Sequence, residues 1–193
     1  MSIGFTVWCT GLPSSGKSAL ADALVEKLQT RGLQVELINS GRMRQTPLGA
    51  SLGFSRDDRD TNVRRHAFAA HLLVRNGVVA VVSAVSPYKA TRDQIRMELG
   101  HFVLVYVSTP AAACIERDSS GNWAKALDGK IRGFTGVDDP YEAPESPGVE
   151  VDLSQLSVEA GVRRVLTTLE RLGRIVPLLT DAEDDQLLDP GLS

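Results

Sequence analysis

Gly11-Leu12-Pro13-Ser14-Ser15-Gly16-Lys17-Ser18 fits the pattern G-x-x-x-x-G-K-[ST] at every fixed position. The apolar run Phe5-Thr6-Val7-Trp8-Cys9 precedes it, and the helix formers Ala19-Leu20-Ala21-Asp22-Ala23-Leu24 follow. Strand, glycine loop and helix together make a phosphate cradle. Backbone N–H groups of the loop and of the helix N-terminus face the bound phosphates. On that mechanism Gly11, Ser14, Ser15, Gly16 and Ala19 border the phosphates of a nucleoside triphosphate. Lys17 reaches the outer ones, and Ser18 offers its hydroxyl to magnesium.

The helix after the loop runs to about Arg31 and stops at Gly32, and Leu33 to Ile38 reads as a second strand. Residues 40 to 57 read as a loop broken by Gly41, Pro47, Gly49 and Gly53. A helix is predicted from about Asp58 to Arg75, a buried strand at Val78 to Val82 and a helix from Tyr88 to Leu99. His101 to Ser108 follows as another strand, and Pro110 opens a short helix ending near Arg117. Residues 118 to 148, rich in Gly, Asp and Pro, read as an irregular lid. Glu150 to Leu153 suits an edge strand, and Val158 to Leu172 an amphipathic helix. Strands alternating with helices predict an α/β, three-layer nucleotide-binding fold of the phosphate-loop type. Its mostly parallel sheet carries helices on both faces, and ligands sit beyond the carboxyl ends of the strands.

The 193 residues suit one domain, expected over 1–175, followed by an acidic tail over 176–193. Residues 181–193 hold Asp181, Glu183, Asp184, Asp185 and Asp189 and no basic residue. Without them the net charge of −3 becomes +2, from 21 basic against 19 acidic residues. A solvated end is the plainer reading of such a tail. There is no basic stripe with interleaved aromatics, so no nucleic-acid partner is expected. No apolar run is long enough to span a bilayer, and no membrane partner is expected. The N-terminus lacks the n-region and h-region of a signal peptide. Cys9 and Cys114 form no metal or disulfide pattern, and a cytoplasmic address is expected.

The loop alone does not choose among a GTPase, a motor and a small-molecule kinase. The size argues against a motor, and no N-K-x-D specifies guanine. A small kinase remains. It needs a basic cover over the transferring group, for which Arg117, Lys125, Lys130 and Arg132 are candidates. Lys130-Ile131-Arg132-Gly133-Phe134-Thr135-Gly136-Val137-Asp138-Asp139-Pro140-Tyr141-Glu142-Ala143-Pro144 resembles the signature of adenylylsulfate kinases (APS kinases). So do Gly53-Phe54-Ser55, Asp58-Arg59, Asn62-Val63-Arg64-Arg65 and Ser83-Ala84-Val85-Ser86-Pro87-Tyr88, in family order.

That resemblance implies transfer of the ATP γ-phosphoryl group to the 3′-hydroxyl of adenosine 5′-phosphosulfate (APS), with magnesium, in sulfate assimilation. It implies Lys17 and Ser86 as catalytic candidates, Ser86 hydrogen bonding to substrate rather than forming a phosphoserine. Phe54 and Phe134 match the two aromatics that sandwich the substrate adenine. Arg59 and Asn62 match substrate-binding positions, and the resemblance makes Arg44, Pro87, Tyr88, Arg132, Gly133 and Thr135 further substrate-binding candidates. Arg117 matches an arginine near the ATP base. A homodimer is also implied.

One segment departs from the family. After the second strand the family carries D-G-D, two residues and an arginine, the carboxylates serving magnesium and the attacking hydroxyl. Here the chain reads Asn39-Ser40-Gly41-Arg42-Met43-Arg44-Gln45. One register sets Asn39, Ser40 and Gly41 over the motif and Arg44 over its arginine. The register shifted by one sets Ser40, Gly41 and Arg42 there, with Gln45. Neither leaves an aspartate, and a lysine frequent in the family's lid falls at Ser120. Asp57, Asp58 and Asp60 are the nearby carboxylates that would stand in. Three readings follow: an APS kinase with a rearranged acidic site, a same-fold kinase for a different nucleotide hydroxyl, or a nucleotide-binding regulator without chemistry.

Overall fold

The structure, a computed structural model, describes residues 4–47, 52–53 and 55–177. Five strands form one sheet: β1 (Thr6–Gly11), β2 (Val35–Asn39), β3 (Val79–Ser83), β4 (Phe102–Val107) and β5 (Val149–Val151). All pair in parallel, in the order β2-β3-β1-β4-β5. The helices are α1 (Lys17–Thr30), α2 (Ser40–Met43), α3 (Arg56–Val74), α4 (Lys89–Leu99), α5 (Ala111–Glu116), α6 (Asn122–Leu127) and α7 (Val158–Arg171).

The central strands β1 and β3 are buried along their whole length. That is why they read as continuous apolar runs rather than alternating ones. Two cores result, one on each face. On one face Val7, Val81 and Val105 meet Leu20, Leu24 and Leu28 of α1 and Val162, Val165 and Leu169 of α7. Each such leucine contributes about 1.5–3 kcal/mol through burial. Gly161 lets α7 close onto the sheet, since a Cβ there would come within 2.9 Å of Val151 Cγ1. On the other face Trp8, Ile38 and Val82 meet Val63, Ala67 and Ala70 of α3 and Ile95 of α4.

Two stretches expected to be irregular contain helix. Residues 40–57 include α2, because the Asn39 side chain caps it by accepting from the N–H groups of Gly41 and Arg42. The following helix starts at Arg56, earlier than expected, because Ser55 caps it by accepting from the N–H of Asp58. Residues 118–148 include α6, whose first turn is held by the Asp118 carboxylate on the N–H of Trp123. The expected acidic tail lies outside the described residues beyond Pro177.

Candidate active site

The phosphate loop leaves β1 at Gly11 and enters α1 at Lys17. Gly16 has φ +96°, and a Cβ there would strike Leu153 Cδ1 at 2.6 Å, so glycine is required. Ser14, with φ +62°, holds a backbone conformation that side-chain-bearing residues seldom adopt. Thr109 Oγ1 donates to the Ser15 carbonyl at 2.9 Å and pins the loop from below. Lys17 is buried and folds back, its Nζ donating to the Leu12 carbonyl at 2.6 Å and Ser15 Oγ at 3.3 Å. Burial pulls its pKa down to about 8. Ser18 and Ala19 are exposed at the first turn of α1.

Beside the loop, at the carboxyl ends of the strands, lies a cleft of about 210 Å³. Arg44, Arg59, Asn62, Ser86, Pro87, Phe134 and Thr135 line it, as expected, together with Pro13, Ser40, Val63 and Asn122. Six separated segments thus converge. Ser86 has φ +44°, and its hydroxyl accepts from the Trp8 indole N–H at 2.9 Å, leaving its own O–H to point elsewhere. Strain of this kind at a cleft residue is a mark of functional sites. Arg44 donates to the Leu52 and Gly53 carbonyls at 3.0 and 3.1 Å. Arg59 donates to the Gly133 carbonyl and lies 3.6 Å from Asp139. Asn62 donates to Ser40 Oγ at 2.9 Å.

Phe134 is held by its neighbours. Asp138 accepts from the N–H groups of Gly133 and Phe134 at 2.8 and 2.7 Å, which keeps its carboxyl below the usual carboxylate range. The Phe134 ring meets Trp123 edge-on at 5.1 Å. Trp123 in turn donates to the Pro13 carbonyl at 3.2 Å, tying this cover to the phosphate loop. Farther along, Arg92 donates to the carbonyls of Ser86, at 2.6 Å, and Glu142.

Several expected residues do not line the cleft. Tyr88 is buried behind it and donates to Asp139 at 2.7 Å, so it supports the cleft rather than facing it. Gly133 contributes its carbonyl to Arg59. Arg132 is exposed, its charge falling on Asp138. Arg117 donates to the Leu153 carbonyl at 2.8 Å, on the side of the phosphate loop where Leu153 packs over Gly16. Phe54 lies outside the described residues.

The structure resolves the register of the departing segment. Asn39 ends β2 opposite Ser83, and its Nδ2 donates to Ser18 Oγ at 3.2 Å. Arg44 faces the cleft, whereas Gln45 is exposed. This favours the register that sets Asn39, Ser40 and Gly41 over the motif. None of the neighbouring carboxylates Asp57, Asp58 and Asp60 lines the cleft. Asp58 accepts from the Ser55 hydroxyl at 2.6 Å, Asp60 from Thr91 at 2.6 Å, and Asp57 is exposed. Among the described residues, no aspartate or glutamate lines the cleft.

Sequence reasoning missed Arg92, Trp123, Asn122 and the hold of Trp8 on Ser86. Arg92 left one trace: a charge three residues before Ile95, on the buried face of α4.

The family model for adenylylsulphate kinase matches residues 3–152. An adenylyl-sulfate kinase of Picosynechococcus sp. is 44% identical over 174 residues, covering 90% of this chain and 98% of the relative. A probable adenylyl-sulfate kinase of Synechocystis sp. is 48% identical over 160 residues, covering 82% and 90%. The solved APS kinase of Mycobacterium tuberculosis in complex with AMPPNP and APS superposes with a TM-score of 0.83 at 36% identity, covering 88% of this chain and 99% of that one. With the sheet order, the phosphate loop and the convergent cleft already in place, these matches are decisive: the chain belongs to the adenylylsulphate kinase family.

Proposed function

We propose that this chain transfers the γ-phosphoryl group of ATP to the 3′-hydroxyl of APS, giving ADP and 3′-phosphoadenosine 5′-phosphosulfate (PAPS). The observation that carries the proposal is the convergence of Arg44, Arg59, Asn62, Ser86 and Phe134 on one cleft beside the phosphate loop. The Phe134 ring offers a stacking face to an adenine. Arg44 and Arg59 offer planar forks to the phosphosulfate. The Ser86 hydroxyl donates to a substrate oxygen, and Arg117 borders the ATP base. Lys17 exchanges its loop carbonyl for the outer phosphates. The new O3′–P bond forms as the bond to the β,γ-bridging oxygen breaks. The hydroxyl proton leaves late, to solvent, because a loose transition state develops little charge on the attacking oxygen. A missing carboxylate base therefore slows the reaction without forbidding it.

Magnesium fits this site poorly. The ion usually takes one or two carboxylates along with substrate phosphates. Here Ser18 Oγ is met by the Asn39 amide at 3.2 Å and by Ser83 Oγ at 3.5 Å. No step is therefore routed through a metal. The region 118–148 acts as a lid in this proposal, hinged between the anchor at Trp123 and the Arg92–Glu142 contact. A homodimer is proposed on the family resemblance alone. A cytoplasmic address is supported by two buried, free cysteines. No described helix is long and apolar enough to cross a membrane.

Incubation with ATP, magnesium and APS, followed by chromatography, tests the transfer. PAPS and ADP that vanish in Lys17→Ala support it. Binding of both substrates without product supports the regulatory reading, and no APS binding points to another acceptor.

A further inference from the structure

Of the sites around the phosphate loop, the one whose chemistry is least like a phosphoryl-transfer site lies at the ends of β2 and β3. In a phosphate-loop enzyme the loop serine and a strand-borne aspartate together hold the metal. Here the two strands that face Ser18 end in Asn39 and Ser83, paired to each other across the sheet. Both side chains are neutral, and both reach the Ser18 hydroxyl.

The orientation of the Asn39 amide follows from its second task. Its Oδ1 accepts from the N–H groups of Gly41 at 2.9 Å and Arg42 at 3.2 Å, capping α2. The oxygen is thereby turned away, and the NH₂ group faces Ser18. An amide N–H there repels a cation and suits a phosphate oxygen. Among the described residues, no group of three or more His, Cys, Asp or Glu side chains is placed to hold a metal ion. Lys17 in the loop and Arg44 and Arg59 in the cleft add cationic charge nearby, against one carboxylate at the loop, Asp118, which accepts from Ser14 Oγ at 3.3 Å.

We infer that this site binds the nucleotide through donors alone, with Asn39 and Ser83 turned to phosphate oxygens, and that nucleotide affinity owes little to a divalent cation. Asn39 is the determining residue, because aspartate in its place caps α2 equally well while returning a carboxylate to face Ser18. The inference rests on the nucleotide-binding part of the proposal above and deepens it.

The test is calorimetric titration of the full chain with β,γ-imido ATP, in excess magnesium and in EDTA. For the unmodified protein the two dissociation constants differ by less than about fivefold. For Asn39→Asp magnesium tightens binding by about tenfold or more, and binding in EDTA weakens, since the new carboxylate repels unscreened phosphates. Tightening by about fivefold or more in the unmodified protein overturns the inference, whether or not the variant folds. So does a folded Asn39→Asp that responds to magnesium as the unmodified protein does. Those outcomes leave nucleotide binding standing. No binding in either condition overturns the nucleotide-binding reading and the inference together.

Discussion

The loop Gly11–Ser18 and the turn Asn39–Arg44 border the same cleft, one after β1 and the other after β2. The loop retains every group its chemistry needs: glycine at a left-handed position, a buried lysine, an exposed serine. The turn carries a neutral asparagine where the resembling motif carries an aspartate. Asparagine caps a helix about as well as aspartate, so α2 forms and Arg44 reaches the cleft. The fold is indifferent to that exchange, while the electrostatics beside the phosphates are not. A site's geometry and its charge are separate requirements, and one can be met without the other.

Four experiments test this contrast. The largest effect belongs to the loop. Lys17→Ala should lower transfer by at least about a hundredfold, since a preorganised charge on the phosphates is removed. Single-turnover kinetics read it, and a smaller loss would shift the catalytic burden toward the turn.

Next comes His66, behind the turn. It is fully buried on α3, with no hydrogen-bond partner for either ring nitrogen among the described residues. Burial, with a smaller push from the charge of Arg44, lowers its pKa from 6.5 to about 4. The fold therefore holds His66 neutral and the unfolded chain does not. Stability is full above pH about 6.5 and is lost as pH falls toward 4, by about 3 kcal/mol in all. Urea melts across that range should show the loss, and His66→Leu should flatten it. An unchanged acid limb in the variant would assign the loss to other groups.

Phe134→Ala should weaken APS by about ten- to a hundredfold, the worth of one stacked base, and ATP by less than about threefold. Equal losses for both ligands would remove the ring from the substrate side. The smallest effect belongs to the cap. Asn39→Ala should cost about 1 kcal/mol in thermal or chemical denaturation, and Asn39→Asp almost nothing. A large loss in both would mean that the turn depends on the amide itself.

Much of this was legible in residue order. The runs at Val7, Val81 and Val105 announced buried parallel strands because both faces of the sheet are covered. Gly16 and Lys17 announced a phosphate loop because little else requires them at that spacing. The helices α2 and α6 escaped because four and six residues carry too little periodicity. Their capping side chains, Asn39 and Asp118, decide them instead. Arg132 and Tyr88 lie in stretches whose resemblance implies substrate binding, yet one is exposed and the other bonded behind the cleft. Register alone could not tell whether Arg44 or Gln45 faces the cleft. That required β2 paired to β3, with Asn39 beside Ser18.

The central question is whether a site with a complete phosphate loop and no carboxylate among the described cleft residues still moves the phosphoryl group to APS. Phosphorus NMR of the unmodified protein with ATP, magnesium and APS reads this directly. The account predicts a new 3′-phosphomonoester resonance growing in step with ADP while the phosphosulfate signal persists. ATP left intact, or ADP accumulating with free phosphate and no new ester, would contradict it.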